Sequence, residues 1–153
     1  MSYHLSNVNF EYGDMIYGMY GRNVQHPDFY QKCDHNYAQY LKEMIFEDYR
    51  KAKHPNTPSR LSSVYLIEDI ESARKYAEKH NKKYIYEIDI SGSRRMLTAD
   101  MKWMDIANQK SVKELLEIVD KYFNGIPSPN EEERTWETLV EGSIKVISKV
   151  ESI

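Results

Sequence analysis

The sequence predicts an α+β domain built on a curved, largely antiparallel sheet. Strand-like stretches lie at both ends of the chain, and the segments with helical spacing lie between them. No segment repeats at a fixed period, and no Pro/Gly/Ser-rich linker divides the chain. The 153 residues, 41% hydrophobic and 29% charged, suit one domain, 1–153, around one core.

Residues 2–6 read as a short aromatic strand. Residues 7–14 are turn-rich, with Gly13-Asp14 as the breaker. Met15-Ile16-Tyr17 forms a second brief strand, closed by Gly18 and Gly21. Pro27 and Asp28 suit a first helical turn, where an N–H would go unpaired and a negative charge meets the positive end of the dipole. Phe29, Cys33, Tyr37, Tyr40, Leu41, Met44 and Ile45 then recur at three- and four-residue spacing. That pattern predicts one long amphipathic helix within 27–50, with Cys33 on its buried stripe. Pro55 and Pro58 prevent it from continuing. A small-residue turn then enters a strand at 61–67, apolar at Leu61, Val64, Leu66 and Ile67.

A helix follows over 69–80, its inner stripe marked by Ile70, Ala73 and Ala77. Residues 82–90 give the clearest strand, with Ile85, Ile88 and Ile90 apolar and Glu87 and Asp89 interleaved; Gly92 ends it. Residues 94–100 read as a weak strand or an extended loop, and 101–109 as a short helix carrying Trp103. Ser111 caps a stronger helix, with Glu114 at the capping-box position and Gly125 as its terminator. Residues 126–134 form a loop. Two strands, 135–140 and 143–150, follow, joined by a bend or bulge at Glu141-Gly142.

Composition narrows the function. The net charge of −3 supplies no global positive field, so nucleic-acid binding would have to be local. The single cysteine excludes an internal disulfide and a Cys-rich metal site, and fits a reducing cytoplasm. No apolar run approaches the ~20 residues of a membrane span, and Met1-Ser2-Tyr3-His4-Leu5 lacks the basic and apolar regions of a secretion signal. The five histidines have no helical ligand spacing, so no metal is expected. There is no Walker loop and no GxGxxG. The 13 tyrosines combine a flat apolar ring with a hydroxyl, which suits both half-buried strands and pockets for planar ligands.

What remains is a dispersed set: Tyr3-His4-Leu5-Ser6 on the first strand, Arg60-Leu61-Ser62-Ser63-Val64-Tyr65 on the central one, Tyr76 on the next helix, and Trp136-Glu137-Thr138 near the end. This order resembles the ADP-ribosyltransferase superfamily in its diphtheria-toxin and poly(ADP-ribose) polymerase branch. That branch is recognised by a histidine, a tyrosine and a glutamate on three separated strands. The chain also resembles small phage and bacterial proteins of unknown function attached to that superfamily. The resemblance implies a split, curved sheet with flanking helices, NAD as co-substrate, and His4, Tyr65 and Glu137 as the catalytic set. It also makes the Leu5 backbone a clamp for the nicotinamide amide, Ser6 the small hydroxyl residue of the histidine motif, and Ser62-Ser63 the approach to the tyrosine. Tyr76 would stack on the nicotinamide opposite Tyr65, at about 1–2 kcal/mol per ring. Arg60 and Arg50 are candidates for the pyrophosphate, with ordinary surface charge as the alternative for both. The family usually has a glycine where Leu5 stands and a glycine-rich strand where Ser62-Ser63 stands. Thr135 replaces the Glu or Gln that arginine- and asparagine-modifying branches carry two residues before the catalytic glutamate.

These residues make chemical sense together. A pyridinium leaves a ribose C1′ as a neutral ring and needs no proton. The difficulty is the cation left on the sugar. One carboxylate can stabilise it and accept a hydrogen bond from the 2′-OH. The expected function is therefore a mono-ADP-ribosyltransferase acting in the cytoplasm on a protein or nucleic acid, with room for an antitoxin-like partner. Two alternatives stand beside it: a non-catalytic nucleotide-binding or interaction module, and an RNA 2′-phosphotransferase-like enzyme. Trp136 and Arg134 are candidates for contact with the acceptor.

Overall fold

The computed structural model describes residues 1–153. It is an α+β fold with one mostly antiparallel sheet and flanking helices. The strands are β1 (Ser2–Ser6), β2 (Met15–Ile16), β3 (Val64–Leu66), β4 (Tyr84–Asp100) and β5 (Trp136–Ser152). The helices are α1 (Tyr20–Val24), α2 (Pro27–Tyr30), α3 (Asp34–Lys53), α4 (Ile70–Lys79), α5 (Lys102–Ile106) and α6 (Val112–Phe123). No helix is long and apolar enough to cross a membrane.

β4 and β5 pair along almost their whole length, and every strand pair is antiparallel. β1 takes the outer edge of β4 at 84–88, while β3 and β2 take the outer edge of β5 at 138–140 and 144–145. Tyr3 and Ile67 then exchange two backbone hydrogen bonds, each 2.9 Å. β1 therefore also meets the end of β3, and the sheet curls back on itself. The bend is made where β4 and β5 cross. Gly142 has φ +133°, and a Cβ there would stand 2.4 Å from the Gly92 carbonyl oxygen. The pairing register shifts on both sides of this crossing, as bulges that raise local twist do.

Alternation along the strands divides the core. Val64, Leu66, Tyr86, Ile88, Val140, Ile144 and Val146 cluster on one face with Ile16. On the other face Leu139 and Ala99 pack under Phe46 of α3, Trp103 of α5, and Ile118, Val119 and Tyr122 of α6. Farther along, Tyr3, Ile67 and Ile85 pack under Ala73 and Ala77 of α4.

Several boundaries differ from the sequence reading. Gly92 does not end a strand, and 135–150 is not two strands. Both bends are absorbed inside the long strands β4 and β5, because a neighbouring backbone fills the space a side chain would take. The helix expected within 27–50 is broken. The Asn36 side chain donates to the Phe29 carbonyl at 3.0 Å, and Tyr30 folds back to stack on Tyr40 at 4.7 Å. Cys33 is thus an extended, exposed N-cap of α3 rather than a core residue. The strand expected at 61–67 shortens to β3, because the Ser59 carbonyl accepts from the amides of Ser62 and Ser63 and holds 59–63 as a turn. The caps match the sequence: Asp69 accepts from Ser72 N at 2.7 Å, and Ser111 and Glu114 form a reciprocal capping box.

Candidate functional site

The turn before β3 delivers Arg60 into the interior, where it is 7% exposed. Its guanidinium lies between two carboxylates from distant elements. Nε donates to Glu43 Oε2 of α3 at 3.1 Å, and Nη1 donates to Glu137 Oε1 of β5 at 2.7 Å. Tyr122 of α6 accepts from Nη1 at 2.5 Å and donates to the same Glu137 oxygen at 2.7 Å. Tyr65 donates to the Arg60 carbonyl at 2.5 Å and places its ring 5.3 Å from the guanidinium carbon. Tyr20 of α1 donates to Glu43 Oε1 at 2.9 Å and accepts from the Gln39 amide at 2.8 Å.

Charge dominates this group. Burial works against the cation on Arg60, but Glu43, Tyr122, Tyr65 and Glu137 outweigh it and hold its pKa well above the usual value. Burial raises the pKa of Tyr65, Tyr122 and Tyr20 above the phenol range, and Glu43 adds to the effect on Tyr20. All three hydroxyls remain donors at neutral pH. A buried charge set of this kind contributes little net stability when complete, but costs about 3–5 kcal/mol when one member is removed.

Above the group opens a cleft of about 1150 Å³. Tyr20, Glu43, Arg60 and Thr138 border its floor; Ser72, Lys75, Tyr76 and Lys79 of α4 form one wall; Glu132 to Trp136 form part of the rim. Neither Lys75 nor Lys79 has a carboxylate within 4.0 Å, whereas Lys102 is paired with Glu133 at 3.1 Å. Burial, then the charge of Glu137, raises the pKa of Tyr76, so this ring lies within the field of the buried group. Glu137 itself is 3% exposed. Its Oε1 is held by Arg60 and Tyr122. Its Oε2 makes no hydrogen bond, and Glu137 lies behind Arg60 rather than among the residues that line the cleft.

The segment leading into Glu137 is clamped by Asp100. Its carboxylate, fully buried, accepts from the amides of Ser128 at 2.8 Å, Thr135 at 2.9 Å and Lys102 at 3.0 Å. Burial opposes the charge, but these donors win and lower the pKa of Asp100.

The sequence-predicted residues divide into two sets. Arg60 and Tyr76 line the cleft; Glu137 and Tyr65 do not, but each is hydrogen-bonded directly to Arg60. His4 stands outside the cleft: its Nδ1–H donates to the Tyr65 carbonyl at 3.2 Å, and its ring lies 6.4 Å from Phe10. Burial lowers its pKa. His4 therefore touches the site through the β3 backbone and does not line the cleft. Nor do Leu5, Ser6, Ser62 and Ser63. Leu5 packs with α4, and Ser6 Oγ accepts from Val8 N at 3.0 Å. Ser62 Oγ donates to Glu141 at 2.8 Å, and Ser63 Oγ donates to the Ser59 carbonyl at 2.6 Å.

Two expectations change accordingly. Arg60 is neither a surface charge nor a free pyrophosphate ligand, because Glu43, Glu137 and Tyr122 occupy its donors; nor is Arg50, which is buried against Glu47 at 2.8 Å away from the cleft. Tyr65 does not face Tyr76 across open space; its ring is taken by the guanidinium and by the edge of Tyr20 at 5.8 Å. Glu43, Tyr20 and Tyr122 were not legible as site residues. One signal was present: Glu43, Glu47 and Arg50 recur at i, i+4 and i+7 on α3 and are all buried, a charged stripe turned inward.

The family model described as "Protein of unknown function (DUF2441)" matches residues 3–152. No curated protein matches the chain.

Proposed function

Since the chain belongs to the DUF2441 family of proteins of unknown function, we propose its activity from the site itself: NAD-dependent ADP-ribosyl transfer in the cleft above Arg60 and Glu137. The observation that carries this reading is the state of the Glu137 carboxylate. One oxygen is fixed by Arg60 and Tyr122, which orients the group; the other is unpartnered. An oriented carboxylate with a spare acceptor is what a ribose 2′-OH and a nearby developing positive charge require.

The cleft residues fit NAD in kind. The volume of about 1150 Å³ lies just above the roughly 300–1,000 Å³ usual for small-molecule and cofactor pockets. Tyr20, Tyr76 and Trp136 offer aromatic surface, and the unpaired Lys75 and Lys79 offer charge for phosphates. NAD would supply a ribose whose C1′ bears a pyridinium that departs neutral. Glu137, reached past Arg60 at the cleft border, would accept from the ribose hydroxyl through Oε2 and face the charge that develops. Arg60 and Tyr122 keep the carboxylate aimed, and Asp100 fixes the strand entry that carries it. His4 holds β3, and with it Tyr65, in register. Trp136, 40% exposed at the rim, and Arg134 beside it are placed to meet a protein or nucleic-acid acceptor.

Glu137→Gln should lower nicotinamide release from NAD by roughly 100-fold or more, the scale of losing one preorganised electrostatic group, with circular dichroism unchanged. Wild-type turnover by a folded Glu137→Gln protein would end the assignment. The low exposure of Glu137 favours one other reading, a nucleotide-binding module without turnover. Calorimetric binding of NAD with no nicotinamide released would decide for it.

A further inference from the structure

We propose that Glu43 sets the charge preference of the cleft, making it select a cationic ring over its neutral counterpart; the inference rests on the NAD reading above. Arg60 and the Glu137 carboxylate behind it would cancel, leaving that pair without net charge. Glu43 breaks that balance: two carboxylates against one guanidinium leave one negative charge. Glu68 adds to it, since it borders the same cleft, lies 3.3 Å from Thr138 Oγ1 and has no cation within 4.0 Å. Lys42 of α3 borders the cleft as well and lies in the field of Glu43, but its ammonium donates to the Met104 carbonyl at 3.0 Å and to Asn108 at 2.9 Å, so its one charge offsets only part of the three carboxylates.

Glu43 is also held for this purpose. It is 1% exposed, and its Oε1 is fixed by Tyr20, which the Gln39 amide fixes in turn. An ionised group locked at the border of a cleft keeps its field in place, with no rotamer freedom to lose when a ligand arrives. The cleft is consequently polarised. Around Arg60 the carboxylates of Glu43, Glu68 and Glu137 outnumber the cations, and the α4 wall carries Lys75 and Lys79. A ligand with a positive ring at one end and phosphates farther along matches that pattern. The oxidised, pyridinium form of nicotinamide has it, and the reduced dihydropyridine does not.

The test compares ligands that differ in charge: the 1-methylnicotinamide cation against nicotinamide, and NAD against NADH, by NMR titration and calorimetry. The wild-type protein should bind the charged member of each pair roughly tenfold more tightly, as expected for one unit charge several ångströms away at an effective dielectric of about 20. Glu43→Gln should bring the two affinities within about twofold, and Glu43→Asp, which keeps the charge, should retain the preference. Equal affinities in the wild type, or an unchanged ratio in a folded Glu43→Gln protein, would overturn the role of Glu43 and leave the NAD reading standing. Absence of binding by all four ligands would overturn the NAD reading itself. Should Glu43→Gln fail to fold, the carbon-13 signal of the wild-type Glu43 carboxyl decides. It should move with the cation and not with nicotinamide, and a signal indifferent to both refutes the proposal.

Discussion

Replacing Arg60 by Met tests the buried charge group as a physical object. The substitution keeps an unbranched apolar stem but removes every donor that Glu43 and Glu137 receive from the guanidinium, at 3.1 and 2.7 Å. Both carboxylates stay buried, at 1% and 3% exposure, and no other cation lies within 4.0 Å of either. Leaving such a partner unpaired costs about 3–5 kcal/mol. For a chain of this length that is roughly a 10–15 °C fall in the melting midpoint. The pH dependence carries a sign. An unpaired buried carboxylate has a folded pKa raised above its unfolded value, so its penalty is absent below about pH 4 and grows as pH rises through that value. Arg60→Met should therefore be nearer to the wild type at pH 5 than at pH 7. Urea denaturation followed by circular dichroism at both values measures this. A variant within 1 kcal/mol of the wild type at pH 7, or one with the same deficit at both pH values, would show that the group is hydrated or already protonated. The reasoning would then fail.

Two other perturbations address the scaffold. Gly142→Ala forces a side chain onto φ +133° and places a Cβ 2.4 Å from the Gly92 carbonyl. It should cost about 2–4 kcal/mol, visible as a lower urea midpoint; an unchanged midpoint would mean that the bend does not depend on the close approach. Asp100→Asn sets an amide N–H₂ against backbone donors and should cost about 1.5–3 kcal/mol at pH 7. Because the folded pKa of Asp100 is lowered, its contribution is present above the unfolded value near 4 and is lost as pH falls below it. The variant should consequently lose less stability than the wild type between pH 4 and pH 2, and parallel acid limbs would contradict the clamp.

Legibility in the sequence followed the range of the interactions. The capping box at Ser111 and Glu114, the Asp69 cap and the alternation in 82–90 are local, and each appears where its residues stand. The break before α3 was hidden, because Phe29, Cys33 and Tyr37 keep helical spacing across it. A side chain seven residues from its acceptor and a tyrosine stack end the first piece. Glu43 was hidden for a similar reason. On a helix with apolar residues on several sides, a charged stripe reads as the solvated face unless its buried partner is known.

The order of residues alone carries the class of fold, the caps, and Arg60, Tyr65, Tyr76 and Glu137 as dispersed candidates. Folding alone reveals that Arg60 is buried between two carboxylates, that the His4 ring meets the site only at the Tyr65 carbonyl, and that α3 supplies a second acid. The reason is physical. A charge enters a protein interior only with a partner, and Arg60 meets Glu43 and Glu137 from 17 and 77 residues away. Local pattern carries no information about pairings that depend on how a sheet curls.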